Sequence, residues 1–359
     1  MSTIAMWGAP SSGKTTFLAA LSLSLAQQGT GWKLASEEGD EASERALVNM
    51  TKAMRNREFP KATGLLHDLR WKLVRQVTET SGGWLRKKEL TRAEVLTLDL
   101  VDSGGEFVAA DNYGKDSQVE LVKRLQESRG IVYMFDPIRE FELRDTFDHT
   151  FGICMQLLGK FTGKPGFDGY LPHHVAVCVT KFDELPVFES ARQLGLLTTD
   201  PDDPHEFPRV AEEDARLLFG RLCDANGDGT MVRQTLESYF RPDRIRYFVT
   251  SAVGFHVNPD TGVFDPDDPQ NLLPDPKGNG GNRVRGAVRP INVVEPLLWL
   301  STRVPSASAI PAPAGGTGTQ AALPGSLPGD EDDGTRAPAA RSSQPGPTRL
   351  AQPWERVQP

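Results

Sequence analysis

Gly8-Ala9-Pro10-Ser11-Ser12-Gly13-Lys14-Thr15 decides how this chain is read. The octapeptide fits G-x-x-x-x-G-K-[ST], the Walker-A pattern of a phosphate-binding loop. An apolar run, Thr3-Ile4-Ala5-Met6-Trp7, precedes it, and Phe17, Leu18, Leu21 and Leu25 follow on one helical face. The loop therefore lies between a strand and a helix, as its chemistry requires. Glycine lets the backbone curl until successive N–H groups converge on phosphate oxygens, and the helix N-terminus adds a favourable dipole. Gly8, Ser11, Ser12, Gly13 and Thr16 are expected around the phosphates. Lys14 would reach the β- and γ-phosphates, and the Thr15 hydroxyl would bind Mg²⁺. The motif implies a nucleoside phosphate and leaves its base open.

Composition narrows the partners. The 359 residues carry a formal net charge of −8, with a pI near 5.4. A non-specific nucleic-acid binder is usually basic, so nucleic acid is not an expected partner. Cys154, Cys178 and Cys223 are far apart and odd in number. They suggest neither a disulfide framework nor a zinc site and fit a reducing cytoplasm. No secretory signal, lipidation pattern or transmembrane segment is expected. The Leu-rich stretch near residue 20 is too short and too rich in Ala, Ser and Gln to span a bilayer.

Strand and helix patterns alternate through residues 1–303. Strands are expected at 3–7, 68–77, 95–101, 131–135, 174–180 and 245–250. Helices are expected at 14–28, 38–55, 117–128, 141–161, 209–223, 230–240 and 291–303. Such alternation predicts an α/β fold, a mostly parallel sheet with helices on both faces. Ile131-Val132-Tyr133-Met134-Phe135 is apolar throughout, as in a central strand buried on both sides. The polar, Pro/Gly-rich stretches 185–208 and 256–290 read as surface excursions, and insertions are expected near 30–62, 185–243 and 256–290. Residues 304–359 are rich in Pro, Gly, Ala and Ser around Asp330-Glu331-Asp332-Asp333 and read as a disordered tail. Asp224 to Gly229 resembles half of a calcium loop, but Thr235 stands where a bidentate Glu is needed, so a polar turn is expected.

Three further motifs choose the nucleotide. Val95–Val101 is a strand pattern that runs into Asp102-Ser103-Gly104-Gly105. A carboxylate at the end of a strand beside a phosphate loop holds Mg²⁺ directly or through water, so Asp102 is a candidate metal ligand. Gly105 can bring its N–H against a γ-phosphate that a side chain would obstruct. Val175–Val179 ends in Thr180-Lys181-Phe182-Asp183. The Asp183 carboxylate can accept from guanine N1–H and its exocyclic amine, a donor pair adenine lacks, while the Lys181 stem lies over the base. Tyr247-Phe248-Val249 leads into Thr250-Ser251-Ala252, where a Ser-Ala turn can offer a backbone N–H to guanine O6.

Together, GAPSSGKT, DSGG, TKFD and TSA resemble the G1, G3, G4 and G5 boxes of Ras-like P-loop GTPases, in this order and across most of residues 1–303. The resemblance implies a three-layer P-loop NTPase fold with a six-stranded sheet containing one antiparallel edge pair. It implies GTP/GDP binding, Mg²⁺ dependence and switch loops that answer to the γ-phosphate. It also implies a switch I threonine before the second strand, for which Thr63 is best placed. That threonine would give Mg²⁺ a hydroxyl and the γ-phosphate an N–H. By analogy the chain resembles the larger bacterial stand-alone GTPases of conflict and signalling systems, and a cytoplasmic location is expected.

Departures from the family pattern keep two readings open. Glu106 stands where the family often has a water-orienting Gln; it can accept from water but cannot donate to a phosphoryl oxygen. Thr180 replaces the commoner Asn. Arg55 or Arg57 near switch I is a candidate arginine finger, against the plainer reading of a solvated helix end. The first reading is a GTP-hydrolysing switch for an unknown effector, with Lys14, Thr63 and Glu106 at the reaction centre. The second is an interaction module that binds GTP and hydrolyses it slowly or not at all. An ATP-using enzyme is disfavoured by Asp183 and Ser251-Ala252.

Overall fold

The computed structural model describes residues 3–27, 29–60, 69–81, 88–100, 115–225, 229–274 and 282–304. All of these lie in one unit, Met1–Ala314; the second unit, Gly315–Pro359, holds none of them. Thr63, Asp102, Gly105 and Glu106 lie outside the described residues, as does the tail beyond Val304.

The described chain runs β1 (Thr3–Gly8), α1 (Lys14–Gln27), β2 (Lys33–Ser36), α2 (Glu41–Arg55), β3 (Leu69–Ser81), β4 (Lys88–Leu100), α3 (Lys115–Glu127) and β5 (Gly130–Phe135). It continues with α4 (Pro137–Leu143), α5 (Thr146–Phe161), β6 (His174–Val179), α6 (Leu185–Gln193), β7 (Leu197–Thr199), β8 (Pro208–Val210), α7 (Glu212–Asp224) and α8 (Gly229–Tyr239). It ends with β9 (Ile245–Val249), β10 (Leu272–Pro274), β11 (Asn282–Val284) and α9 (Glu295–Arg303).

The central sheet has the order β2-β3-β4-β1-β5-β6-β9. Pairing is parallel from β4 to β9 and antiparallel for β2–β3 and β3–β4. This is the three-layer α/β fold expected from the sequence, with all six expected strands in one sheet. A seventh, β2, extends the antiparallel edge. Its four residues, Lys-Leu-Ala-Ser, lie at the sheet margin and carry too little apolar alternation to be read in advance.

Burial on both faces explains the central strands. In β5, Ile131, Tyr133 and Phe135 enter one core while Val132 and Met134 enter the other. In β1, Ala5 and Trp7 face the first core, Ile4 and Met6 the second. The first core is closed by α3, α5, α6, α7 and α8, the second by α1, α2 and α9. Period-2 alternation between two apolar faces reads in sequence as an unbroken apolar run.

Several boundaries moved. The stretch 141–161, expected as one helix, is two: Asp136 caps α4, which Pro137 starts, and Arg144 breaks it at φ 54° before α5. The polar stretch 185–208 is not merely a surface excursion, because α6 lies in it and buries Val187, Phe188 and Ala191. The ribbon of β3 and β4 pairs from Leu69↔Leu100 to Ser81↔Lys88, and β4 therefore starts seven residues before the expected 95. Only its Leu69–Val74 end meets the rest of the sheet, since β2 covers Trp71 to Val74 and β1 covers Thr97 to Leu100. Residues 88–94 carry charge and little apolar signal, so pattern alone stops short of them.

Residues 30–60 of the expanded connection are stitched down. Asp40 caps α2 by accepting from Ser43 N at 3.0 Å. The Ser43 hydroxyl accepts from Arg70 N at 3.0 Å, and the Trp71 indole donates to Ser43 O at 3.1 Å. Between α7 and α8, Asp224 accepts from the Thr230 hydroxyl at 2.9 Å, a helix-start contact.

His173, at the entry to β6, is buried between the rings of Phe161 and Phe240, and its Nε2 lies 2.8 Å from Leu125 O. Burial pulls its pKa down to about 4. The folded chain keeps this imidazole neutral, whereas the unfolded chain protonates it near pH 6.5, so stability present above 6.5 is lost as pH falls towards 4, by roughly 3 kcal/mol. His173→Leu leaves the Leu125 carbonyl without that partner and costs about 1–3 kcal/mol at neutral pH. Urea midpoints measured at pH 7 and pH 5 should show the gap between variant and wild type narrowing at the lower pH.

Candidate functional site

The site begins where β1 ends. A Cβ on Gly8 would lie 2.6 Å from Met134 O and 2.7 Å from Ser12 Oγ, so only glycine fits between β5 and the loop. The loop then turns through left-handed conformations at Ser11 (φ 60°) and Gly13 (φ 91°). Ser12 N donates to Ala9 O at 3.2 Å, and Phe17 N to Gly13 O at 2.7 Å, which starts α1. Lys14 is buried, and its ammonium donates to Gly8 O and Ala9 O, both at 3.1 Å. A lysine folded back over the concave side of its own loop faces the space that the loop encloses. Ser12 Oγ is fully buried with no hydrogen-bond partner among the described residues. A buried hydroxyl, a curled backbone and an ammonium in one loop are the donors an anion would satisfy. Thr15 and Thr16 are half-buried in the first turn of α1.

Sequence reasoning missed His149 of α5. It is buried, its ring hydrogen-bonds the Gly8 backbone, and burial followed by the nearby Lys14 charge holds its pKa down to about 4. It is a neutral imidazole packed against the phosphate loop. No motif marks it, because the helix that carries it is far along the chain.

The second half of the site is stapled from the ends of β5, β6 and β9. Thr180 donates to Phe135 O twice, through N at 2.9 Å and Oγ1 at 3.0 Å. Thr250 likewise donates to Val179 O through N at 2.8 Å and Oγ1 at 3.3 Å. Phe182 N donates to Thr250 O at 3.1 Å. These threonines lock three strand ends side by side.

Asp183 and Ser251, 68 residues apart, meet here: the Ser251 hydroxyl donates to Asp183 Oδ1 at 2.5 Å. The same hydroxyl accepts from Gly254 N at 2.7 Å and Val253 N at 3.3 Å. Asp183 is buried, and its chain neighbour Phe182 packs with Phe188 and Phe255, on which Phe264 also packs. Burial raises the Asp183 pKa to about 6 against the lowering effect of the Ser251 hydroxyl. Ser251 N donates to Ile291 O at 3.0 Å, and Ala252 beside it is half-buried.

The 256–290 excursion buttresses this turn. Asn271 is buried; its amide donates to Val253 O at 3.1 Å and Ala287 O at 3.2 Å, and its oxygen accepts from Gly286 N at 2.7 Å. Gly254 sits at φ 70°, where a Cβ would lie 2.0 Å from Arg289 O. Neither residue belongs to a motif. Arg57 is tied to the same excursion: its carbonyl accepts from Val284 N at 2.9 Å, and its guanidinium donates to Arg285 O at 3.3 Å. That favours the plain reading of a helix-end arginine. Arg55 ends α2 exposed.

The described residues contain no group of three or more His, Cys, Asp or Glu placed to hold a metal, and no helix among them is long and apolar enough to cross a membrane.

No protein-family model and no curated protein sequence matches the chain. Among solved structures it is similar to the Arl6 BBS3 small GTPase of Trypanosoma brucei with bound nucleotide analogue GppNp. The identity is 10%, over 84% of this chain and 96% of that one, with a TM-score of 0.33. It is also similar to the GTPase-like domain of S. cerevisiae Ski7 bound to GTP, at 12% identity over 72% of this chain, with a TM-score of 0.30. This chain spans 44% of the Ski7 chain.

Burying ionised Asp183 opposes folding at neutral pH. With its pKa raised to about 6, the folded chain holds the proton that the unfolded chain releases near 3.8, so stability falls between those values and stays lower above 6, by roughly 3 kcal/mol. Asp183→Asn should raise the urea midpoint of the nucleotide-free protein at pH 7.5. The gain should shrink as pH falls from 6 towards 4; a pH-independent difference would mean that the carboxylate is not desolvated.

Proposed function

We propose that this chain binds guanine nucleotide with Mg²⁺ and hydrolyses GTP to GDP and phosphate, acting as a conformational switch for a partner protein. The observation that carries the reading is the Ser251–Asp183 hydrogen bond, which delivers a buried carboxylate to the sheet edge where Lys14 closes the phosphate loop. A carboxylate so placed offers its remaining lone pairs to the paired N–H donors that guanine has and adenine lacks.

The residues fit the nucleotide. Gly8, Ser11, Ser12, Gly13 and Thr16 hold the phosphates, and Lys14 carries positive charge to them. Thr180, Lys181, Asp183, Ser251 and Ala252 hold the base. Thr15, with Thr63 and Asp102, would hold Mg²⁺, which supplies charge neutralisation at the transferred phosphoryl group. Gly105 would offer its backbone N–H to the γ-phosphate, and Glu106 would face the water that attacks it. The transition state gains charge on its phosphoryl oxygens, and a fixed ammonium and converging backbone donors stabilise that charge without reorganising. GTP would order switch I around Thr63 and switch II around residues 103–115, hydrolysis would release them, and an effector would read that difference.

A second reading rests on Glu106. A carboxylate near the γ-phosphate accepts from water but cannot donate to a phosphoryl oxygen, which favours slow, partner-dependent or absent hydrolysis.

Calorimetric titration with GTP, GDP and ATP tests the nucleotide. Guanine nucleotides should bind at least 100-fold tighter than ATP, a difference of ~3 kcal/mol. Lys14→Ala should abolish binding, and Asp183→Asn should erase the guanine preference. Guanine binding needs the Asp183 anion, so affinity should fall about tenfold per unit as pH drops below about 6. Single-turnover phosphate release from wild type and Glu106→Ala separates the two readings. Release by wild type lost in the variant supports the switch, and no release from either favours the binding module.

A further inference from the structure

The guanine-reading loop carries a built-in rival for its own carboxylate. Lys181 stands two residues before Asp183 and three before Glu184, and its charge acts on both. An ammonium on so short a tether pairs readily with either acid. A cation on Asp183 would occupy the lone pairs that the base must use.

The structure shows the ammonium held elsewhere. Lys181 Nζ lies 2.7 Å from Asp136 Oδ2. Asp136 follows the last residue of β5 and is 2% exposed. Its two oxygens have separate partners. Oδ1 accepts from Ile138 N at 3.0 Å and Arg139 N at 3.1 Å, which caps α4. Oδ2 faces Lys181. Capping needs one oxygen, and Ser, Asn or Asp serves equally; the second oxygen and its charge are surplus to the helix. Lys181 meanwhile sits at φ 58°, a left-handed conformation that a residue with a side chain keeps only when its surroundings hold it. β5 and β6 are neighbours in register up to Phe135↔Val179, so Asp136 and Thr180 leave the sheet side by side.

We propose that Asp136 is a positioning residue of the base site, which draws the Lys181 ammonium to the β5 side and so keeps Asp183 open to guanine. The inference rests on the guanine-nucleotide reading above. The Lys181 stem remains available to lie over the base while its charge is held off the base-reading carboxylate.

The test uses the full chain, with GDP and ATP titrated into wild type, Asp136→Asn and the double variant Asp136→Asn/Lys181→Met. Asn keeps the α4 cap and removes the charge; Met keeps an apolar stem and removes the ammonium. Asp136→Asn should weaken GDP binding about tenfold with its thermal midpoint close to wild type. The double variant should recover most of that loss, because the rival cation is gone. Asp136→Ser, another capping residue, replaces the Asn variant if that does not fold. GDP affinity unchanged in Asp136→Asn overturns the inference, as does a double variant no tighter than the single one, which is the outcome if Asp136 merely supports the fold. Wild type without preference for GDP over ATP overturns the guanine reading itself, and the inference with it.

Discussion

The parallel register of β1, β5, β6 and β9 is the constraint on which the rest depends. Parallel strands end in the same direction, so the loops that follow them emerge along one edge of the sheet. Gly8 pairs with Met134, Phe135 with Val179, and Val179 with Val249. Four loops from four distant parts of the chain are thereby fixed within reach of one another. Helices cover both faces of these strands, and the double burial makes the platform stiff. Thr180 and Thr250 then tie each loop to the neighbouring strand end.

Polar groups that a plain core would exclude collect along that edge. Lys14, Asp136, His149 and Asp183 are all buried there, each against a named partner. Ser11 and Lys181 adopt left-handed backbone beside them. Such departures from local preference are retained where function needs them and where surrounding structure fixes them. Asp183 is the clearest case. Burial opposes its charge, yet the same desolvation strengthens any hydrogen bond it accepts.

One long insertion meets the candidate site. The described residues of the 256–290 excursion brace the Ser251–Gly254 turn through Asn271, which clamps Val253, and Ile291 just after it pairs to Ser251. Within the 30–62 connection, Ser43 joins α2 to β3. Both stretches read in sequence as excursions because their apolar residues are few. Their contribution comes from hydrogen bonds between residues far apart, and composition carries no record of those.

The sequence alone determined the strand–loop–helix unit at Gly8 to Thr15 and the six core strands, and it nominated Asp183 and Ser251-Ala252 as candidates. Those signals are local: glycine at a curled turn, apolar runs where both faces are buried, a carboxylate just past a strand. Tertiary structure decided what no local pattern holds. It showed β2 as a seventh strand and split the helix expected at 141–161. It joined the Ser251 hydroxyl to Asp183, and it brought His149, Asp136, Asn271 and Gly254 to the candidate site. The physical reason is common to these last four. Each owes its place to a neighbour across the fold: a Gly8 backbone group, a Lys181 ammonium, a Val253 carbonyl or an Arg289 carbonyl. Sequence spacing holds information about the nearest few residues, while these contacts arise only once the parallel sheet has set the strand ends side by side.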